Sequence, residues 1–481
     1  MGILDGAIIL AYLLAMIGIG TYFYRRNKDH DDYYVGGRNM NSWHIGLSVV
    51  ATDVGGGFSI GLGGLGFLMG ISGSWMLFTG LIGAWLSAVL LIPRIYQRAR
   101  VNQWLTLSQF LGSSYGPRVA LLAGIISAIG YVGFTSSQIL AGAKLASATF
   151  LDLDRLDALL IMGAIAVIYT VIGGLKAVIY TDTVQWAILM IGLIFIGIPL
   201  GYTAIGGISA LRSSLGPEFL SLRHISVIQL VNWFVTIVPI WFVGMTLYQR
   251  IYAARDERTA RRAWFKAGLF EYPVMAFMGV LLGLFARVAA QQGMFAYAGY
   301  AGPESMDPEM GLPLFLRTVL PAGLMGLMLA AYFSAIMSTA DSCLMAASGN
   351  IVIDLIGRKK TRAEHQATGL GLSQVITLIV GLLAIGLAAG MQNVLELMLM
   401  SYAFMVSGLL IPVLGALWIK QPSPQAAFWS MLGGGTTTLS MQVAGLTLPG
   451  GLDPNLAGIT VSAILFAAVH RFVHPLTGTY S

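Results

Sequence analysis

Long apolar stretches follow one another along almost the whole chain, separated by short charged or Pro/Gly-rich segments. About thirteen stretches can be counted, and most approach the roughly 20 residues that a helix needs to cross a bilayer. Only 10% of the residues are charged, whereas soluble domains have about 25%. The pattern predicts an all-α polytopic membrane protein and excludes a soluble enzyme.

The apolar stretches leave no polar segment long enough to form a separate domain. We therefore expect one membrane domain over residues 1–481. The first stretch, residues 4–24, lacks a preceding basic segment and a small-residue cleavage pattern, so we interpret it as a retained helix and not as a signal peptide. Cys343 is the single cysteine, which excludes an internal disulfide.

Basic residues predict the orientation of the spans. When alternate loops are assigned to opposite sides, about 21 of the 27 Lys and Arg residues fall on one side. The positive-inside rule makes that side cytoplasmic. We expect the N-terminus outside, the C-terminus in the cytoplasm, and a location in the plasma membrane, most simply a bacterial inner membrane. The sequence pI of about 9.3 then reflects topology and not nucleic-acid binding.

Five carboxylates are expected at or near membrane depth, namely Asp53, Asp182, Glu271, Asp341 and Glu396. Each is costly there, by a few kcal/mol, so an ion or solute path is the default hypothesis. Asp53 lies mid-span and Asp341 lies among small polar residues, which favours function for both. Glu271 and Glu396 are predicted near helix ends, where structural pairing or snorkelling is favoured. For Asp182, a helix-capping role competes with function.

Two stretches contain residues that interrupt helices. Residues 45–69 carry Gly55, Gly56 and Gly57 in succession, and each glycine costs a helix about 1 kcal/mol relative to Ala, so we expect unwinding there. Residues 226–248 carry Pro239 at their centre, which predicts a kink or a functional break. Interrupted helices at matching positions of two five-span halves are typical of inverted-repeat transporters, whose unwound backbone binds solute and ions.

A stripe of small polar residues complements the first interruption. Ala335, Ser338, Thr339 and Ser342 are spaced i, i+3, i+4 and i+7, so they share one helix face. Hydroxyl and carbonyl oxygens are the ligands that hard cations prefer. Helix packing is the alternative explanation, because Ser and Thr also join neighbouring helices. We favour a cation site for this stripe.

Four segments of the chain together resemble the sodium:solute symporter family, which includes bacterial proline, sialic acid and sugar carriers and the mammalian sodium–glucose transporters. They are DYYVGGR at 32–38, the Tyr-Thr, Gly-Gly and Thr-Asp pairs with a Gln within 169–185, the run at 249–261 that begins Gln-Arg, and MSTADS at 337–342. The resemblance covers most of the chain.

The resemblance implies an inverted five-helix-repeat core of the leucine-transporter type. The repeats would occupy residues 42–203 and 225–419, with a leading helix at 4–24 and two trailing helices at 425–472. It also implies secondary active symport, in which a small organic solute is imported with Na⁺ by alternating access.

Site residues are also implied by the resemblance. The first sodium site would use the carbonyls of Ala51, Val54 and Ala335 and the hydroxyls of Ser338 and Thr339. Some family members have a second sodium site, which here matches Asp182 and Ser342 and adds Asp341. Solute binding or coupling would involve Asp53, Gly55, Gly56, Gly57, Phe58, Tyr131, Phe134, Thr135, Gln138 and Trp241.

The solute stays open at this point, with an amino acid or small organic acid favoured. Proline is disfavoured, because this chain has Trp241 to Thr246 (WFVGMT) where proline carriers have an aromatic and a Gly-Gln-Pro-His run. The alternatives are a proton-coupled carrier using Asp53, Asp182 and Asp341, a sodium-coupled sugar carrier, and a transporter-like solute sensor. The short segment 474–481 argues against a sensor. The expected partners are the solute, sodium ions and the lipid bilayer, without nucleic acid or ATP.

Overall fold

The computed structural model describes residues 2–24, 34–173, 175–357 and 369–473. Within these ranges every regular element is a helix, apart from isolated β-bridges between Met40 and Ala254 and between Leu448 and Leu452. The α-helices are α1 (Ile3–Tyr24), α2 (Ser42–Met69), α3 (Trp75–Leu90), α4 (Ile92–Asn102), α5 (Leu107–Tyr115), α6 (Pro117–Thr149), α7 (Arg155–Gly173), α8 (Leu175–Gly192), α9 (Ile198–Ala204), α10 (Gly207–Ser214), α11 (Val227–Val243), α12 (Met245–Ala253), α13 (Glu257–Leu269), α14 (Ala276–Gln291), α15 (Pro308–Val319), α16 (Leu324–Gly349), α17 (Gly369–Ala389), α18 (Val394–Trp418), α19 (Pro424–Val443) and α20 (Pro454–Val473).

Shorter helical segments join or extend these helices. Three have the wider π-type winding, at Leu193–Gly197, Phe270–Met275 and Asn350–Ile356. Short 3₁₀ turns lie at Gly36–Arg38, Gly70–Ser74, Pro217–Leu220, Ala296–Ala298, Pro303–Ser305 and Pro449–Gly451.

The described helices confirm the prediction of an all-α polytopic membrane protein. Eight continuous helical runs are long and apolar enough to cross a bilayer, and the bent pair α11 and α12 raises the number to nine. The run Leu324–Ile356, which contains α16, has 94% of its apolar window buried inside the protein, against 17% for α20. Helix α16 is therefore a central element, and α20 is peripheral.

Helix α2 is interrupted at Gly55, as predicted for the glycine triplet. Gly55 has φ 21° and ψ −158°, whereas the helix continues on both sides. A positive φ is inexpensive only for glycine. A Cβ at this position would also lie 2.5 Å from Thr339 Oγ1, so glycine is required here both for the backbone conformation and for the approach of α16.

The second interruption lies at Gly244 and not at Pro239, so the predicted position of this break is wrong. Helix α11 continues through Pro239 to Val243, and α12 leaves it at an angle of 43°. Proline cannot donate to the carbonyl four residues earlier. Here that carbonyl, Val235 O, accepts a hydrogen bond from Asn455 Nδ2 at 3.1 Å, which compensates for the missing bond.

Glu271 lies two residues beyond the end of α13, in the π-type segment Phe270–Met275 within the 35-residue helical run Glu257–Gln291. It is fully buried, so the predicted snorkelling to a surface is wrong. Asp256 caps this run by accepting from Thr259 N at 2.7 Å, a bond that holds the pKa of Asp256 below its usual value. The basic residues that follow Asp256 therefore lie on a helix. Glu396, in the first turn of α18, does lie at a helix end.

Helix α2 lies at the centre of the packing and contacts α6, α8, α13, α14, α15, α16 and α18. Its crossing with α14 is close because glycines face each other. A Cβ on Gly66 would lie 2.2 Å from Val280 O, and one on Gly283 would lie 1.9 Å from Gly63 O. The glycines that follow the break therefore serve helix packing.

The leading helix α1 is held against α16 by a buried carboxylate. Asp5 is fully buried and accepts from Gly323 N at 2.7 Å and from Gly326 N at 2.9 Å. These backbone N–H groups belong to the start of α16, where no intrahelical acceptor exists. Asp5 thus caps the central helix from a distant part of the chain.

Replacing Gly283 by Ala should destabilise the protein. The added Cβ would meet the backbone of Gly63, so α14 must move away from α2, and overpacking of this kind costs about 1–3 kcal/mol. The thermal unfolding midpoint of purified protein in detergent measures the effect. Gly386→Ala on α17 is the control, because nothing lies within 4 Å of the new Cβ. Equal midpoints for the two variants would contradict the close crossing.

Candidate cation and solute site

The interruption of α2 meets the polar stripe of α16. Thr339 Oγ1 lies 3.0 Å from Ala51 O and 3.2 Å from Ala335 O, within hydrogen-bonding distance of both, and the Thr339 side chain is fully buried. The structure therefore brings together Ala51, Ala335 and Thr339 beside Gly55. Neutral oxygens converging in this way are suited to a hard cation.

The backbone immediately after the break is held by α6. Gly56 N donates to Gln138 Oε1 at 2.8 Å, and a Cβ on Gly56 would lie 2.7 Å from Ala141 Cβ. Gln138 thus has a defined structural contact with the unwound segment. The remaining predicted residues of this segment, Val54, Gly57 and Phe58, lie outside the residues whose side chains the structure describes.

Ser338 and Asp182 join α16 to α8. The Ser338 hydroxyl donates to Asp182 Oδ1, and Ser48 Oγ donates to Asp182 Oδ2 at 2.5 Å. Asp182 lies well inside α8, which begins at Leu175, and these serines bind both carboxylate oxygens. The predicted capping alternative for Asp182 is therefore wrong, and its carboxylate belongs to the polar interior.

Arg250 belongs to the site but was not predicted from the sequence. Its fully buried guanidinium donates to Ser48 Oγ at 3.0 Å, Thr52 Oγ1 at 2.5 Å and Ser342 Oγ at 2.9 Å. Its Nη2 also lies 3.7 Å from Asp182 Oδ2. From the sequence, Arg250 contributes to the family resemblance, as the second residue of the run at 249–261. In the structure it lies against Asp182 and Ser342, which were predicted to hold a second sodium.

Asp341, the third residue predicted for a second sodium site, is held by a different helix. Thr170 Oγ1 on α7 donates to Asp341 Oδ1 at 2.5 Å. Asp341 Oδ2 has no hydrogen-bond partner among the described residues. Asp341 is fully buried, so its carboxyl is part of the same interior without sharing the Arg250 contacts.

Asp53, two residues before the break, lies next to a second carboxyl. Asp53 Oδ1 accepts from Tyr402 OH at a long 3.4 Å, and the Glu271 carboxyl lies against that of Asp53. The ring of Phe134 packs edge-on against Tyr402, with centroids 5.0 Å apart. Glu271 was not predicted as a site residue. The nearby Pro273, two residues further along an apolar stretch, is the sequence feature that could have indicated a distorted helix here.

Two predicted aromatic residues lie near the interruption between α11 and α12. Tyr131 OH accepts from Thr246 N at 3.0 Å, so it binds a backbone group close to the break. Trp241 is fully buried, packs its ring against Gly83 of α3, and lies edge-on to Trp264 at a centroid distance of 6.4 Å. These contacts give Trp241 a packing role in this conformation.

A cavity of about 720 Å³ lies between α2, α11, α15 and α18, beyond the interruption along α2. Its lining includes Gly61 and Gly64 of α2, Trp233 of α11, Glu309 of α15 and Leu395 of α18. Beside it, the buried Lys144 of α6 pairs with Asp307 at 2.5 Å and Glu309 at 2.6 Å. Glu309 also accepts from Val394 N and Leu395 N, both at 3.0 Å, which ties the start of α18 to this network.

The chain is similar to known transporters over most of its length. The model of the sodium:solute symporter family matches residues 33–434. The osmoregulated proline transporter OpuE of Bacillus subtilis is 27% identical over 478 residues, which cover 94% of this chain and 93% of the relative. Sodium/glucose cotransporter 1 of Oryctolagus cuniculus is 24% identical over 472 residues, which cover 89% and 70%.

Solved structures share the fold. The substrate-bound outward-open state of a Na⁺-coupled sialic acid symporter matches with a TM-score of 0.80 at 20% identity, over 100% of this chain and 99% of the other. The nucleobase-cation-symport-1 family transporter MHP1, in a closed conformation with bromovinylhydantoin bound, matches with a TM-score of 0.55 at 13% identity, over 94% and 97%. Since the family model spans residues 33–434, this chain belongs to the sodium:solute symporter family and is a sodium-coupled symporter of a small solute, not an enzyme.

Proposed function

We propose that the transported Na⁺ binds where the interruption of α2 meets α16. Its ligands are the carbonyl oxygens of Ala51, Val54 and Ala335 and the hydroxyls of Ser338 and Thr339. The observation that carries this assignment is the position of Thr339 Oγ1, within 3.2 Å of both Ala51 O and Ala335 O at the unwound point. Ser338 adds a hydroxyl whose proton is engaged by Asp182, which leaves its lone pairs for a cation.

A second sodium site at Asp182, Asp341 and Ser342 requires a different conformation. In the present arrangement Arg250 already contacts Asp182 and Ser342, so its positive charge takes the place of a second cation. Arg250 lies in α12, on the far side of the bend at Gly244. Movement of α12 would withdraw the guanidinium and open Asp182 and Ser342 to Na⁺, and the ion stoichiometry then depends on this helix.

Transport proceeds by alternating access. Na⁺ at the first site ties α2, in the first predicted repeat, to α16, in the second, and favours the conformation that binds solute. A negative interior contributes about 2.3 kcal/mol per charge for each 100 mV, so inward movement of Na⁺ can drive uphill uptake. When the two repeats move apart, the carbonyl and hydroxyl ligands separate and the ion is released inside.

The proposed carrier has the topology predicted from its sequence. About thirteen spans place the N-terminus outside and the C-terminus in the cytoplasm of a bacterial inner membrane. The leading helix at 4–24, the repeats at 42–203 and 225–419, and the trailing helices at 425–472 form one domain. In this topology Asp307, Glu309 and Asp453 lie in loops opposite the basic side, and their common position at one cavity supports placing those loops on the same side of the membrane.

The solute is a small organic molecule, for which an amino acid is the first candidate. OpuE and the high-affinity proline transporter PutP, both of Bacillus subtilis, are named as proline transporters, which supports an amino group as a recognised feature. A sugar is the second candidate, supported by the sodium/glucose cotransporter of Oryctolagus cuniculus. Proton coupling is the rival mechanism, since Asp53 and Asp341 have oxygens without partners in the described part of the chain.

Solute binding should depend on sodium. A thermal-shift screen of purified protein against amino acids, organic acids and sugars is expected to reveal a ligand that raises the unfolding midpoint in NaCl and not in KCl at the same pH. A ligand at 100 times its Kd adds about 2.7 kcal/mol of stability. Uptake of that solute into proteoliposomes should likewise need an inward Na⁺ gradient. Equal accumulation with K⁺ in place of Na⁺, driven by a pH gradient, would favour proton coupling.

The double substitution Ser338→Ala and Thr339→Ala should raise the sodium concentration for half-maximal uptake by at least tenfold. Loss of two oxygen ligands costs more than the roughly 1.4 kcal/mol that corresponds to tenfold. Thr377→Ala on α17 is the control, because it also removes a buried hydroxyl that bonds to its own helix. An unchanged sodium dependence in the double variant would refute this site.

Arg250→Gln should destabilise the protein and make its stability depend on sodium. Removing one partner of a buried ion pair costs about 3–5 kcal/mol, and here it leaves Asp182 without a positive charge. If Asp182 and Ser342 can bind Na⁺, the gain in unfolding midpoint from KCl to NaCl should be larger in this variant than in the unaltered protein. The additional change Asp182→Asn should remove the extra gain. An equal gain in Arg250→Gln and the unaltered protein would contradict a second sodium site.

A further inference from the structure

Helix α13 carries an exposed stripe that changes from basic to apolar along its length. Arg258, Arg262, Phe265 and Leu269 are three or four residues apart, so they share one face of the helix, and all four are exposed. The first two are cations, whereas Phe265 and Leu269 are apolar. Because charged groups stay at the membrane surface and apolar groups enter the bilayer, this change marks the level at which α13 enters the membrane.

Two tryptophans lie at the same level, on the helices that flank α13. Lys266 Nζ lies over the ring of Trp43, at the start of α2, 3.6 Å from the ring centroid. On the other flank, Trp85 Nε1 of α3 donates to Phe265 O at 3.2 Å. Trp43 is 57% exposed and Trp85 is 41% exposed. Since tryptophan is enriched where the membrane meets water, both rings support an interface at this level of α13.

Arg262 and Lys266 form a pair of cations at this interface. They lie on consecutive turns of α13, where like charges repel each other. Neither pairs with a carboxylate within the ranges that the structure describes. Lys266 Nζ donates to Ser42 Oγ at 3.0 Å, but that hydroxyl is neutral. The chain thus places two positive charges together at a membrane surface, and an anion from outside the chain is needed to compensate them.

Close packing holds the backbone that carries these cations. A Cβ on Gly46 of α2 would lie 3.1 Å from Ala263 O and 3.4 Å from Lys266 Cβ. On the flank towards α3, Arg261 Nε donates to Ala88 O at 3.2 Å. Basic residues that only set membrane orientation can lie anywhere in a short loop, whereas this helix is fixed against two others. Such preorganisation lowers the entropy that is lost when a ligand binds.

The surface around the two cations fits a phospholipid better than a soluble anion. Phe265 and Leu269 continue the exposed stripe from the cations towards the bilayer, and Trp85 and Leu86 of α3 are exposed beside them. A headgroup phosphate at the cations would place its acyl chains along these apolar side chains. A soluble anion or an acidic protein would use the charges and leave the apolar surface uncovered. Clustered basic residues at a membrane surface also attract anionic lipids over neutral ones.

We propose that Arg262 and Lys266 bind the headgroup phosphate of an anionic phospholipid, in the leaflet on the basic side of the protein. The phosphate removes the repulsion between the two cations and lies between the two flanking tryptophans. Through Lys266 and Ser42 it fastens α13 to the first turn of α2. That half of α2 also carries Ala51, so the lipid stabilises the present position of this half of the helix. The site does not depend on which solute or ion is transported.

The test compares two phospholipids that share their acyl chains and differ in headgroup. Purified full-length protein in a non-ionic detergent is titrated with dioleoylphosphatidylglycerol, which is anionic, and with dioleoylphosphatidylcholine, which is neutral overall. Native mass spectrometry measures the affinity of the first lipid bound. Phosphatidylglycerol should bind at least tenfold more tightly. Equal affinities overturn the proposal. Equally tight binding of glycerol 3-phosphate also overturns it, because the site then serves a soluble anion.

Substitutions then locate the lipid. Arg262→Gln combined with Lys266→Gln should reduce the preference for phosphatidylglycerol at least fivefold. Arg212→Gln combined with Arg223→Gln is the control, because it removes two exposed positive charges elsewhere on the protein. Arg262→Lys combined with Lys266→Arg keeps both charges and should keep the preference.

An unchanged preference in the Gln variant overturns the proposal, and so does an equal loss in the control, which would show an effect of net charge alone. Thermal unfolding shows whether each variant is folded. If the double Gln variant does not fold, the single change Arg262→Gln decides by the same comparison, because this side chain is exposed and its replacement leaves the packing of α13 intact.

Discussion

The contact between the interruption of α2 and Thr339 of α16 is the constraint on which the rest of the structure depends. Gly55 adopts a backbone conformation that side chains resist, and it also leaves room for Thr339, because a Cβ there would lie 2.5 Å from the hydroxyl. The interruption exposes Ala51 O to Thr339 and Gly56 N to Gln138. The same discontinuity thus creates oxygen ligands for a cation and fastens α2 to two neighbouring helices.

Around this contact the buried charges fall into two kinds. Asp182 and Glu309 have basic partners from the chain, Arg250 and Lys144, so their charges are compensated in the absence of cargo. Asp53 and Glu271 have none among the described residues. The Arg250 pair stabilises the present conformation and is lost if α12 moves away from α8. Asp53 and Glu271 lie against each other instead, and because two like charges repel in the interior, the neutral form of one carboxyl is favoured.

Features that depend on local sequence were predictable, and those that depend on distant residues were not. Composition determines the membrane class, the glycine triplet determines the break at Gly55, and the i, i+4 spacing aligns Ala335 with Thr339. The break near Pro239 was misplaced because Asn455, far along the chain, binds the carbonyl that proline leaves free. Arg250 and Glu271 were misjudged because charged residues were assigned to loops or helix ends, whereas tertiary packing buries both.

The adjacency of Ser338 and Thr339 explains how one ion can sense two parts of the fold. Consecutive residues on a helix project about 100° apart, so Thr339 reaches α2 while Ser338 reaches Asp182 on α8. Helix α16 lies in the most buried run and is the common reference for both contacts. A cation between the two hydroxyls loses affinity when either α2 or α8 moves relative to α16. By linkage, its binding holds both helices in place, and release of sodium frees the two sides together.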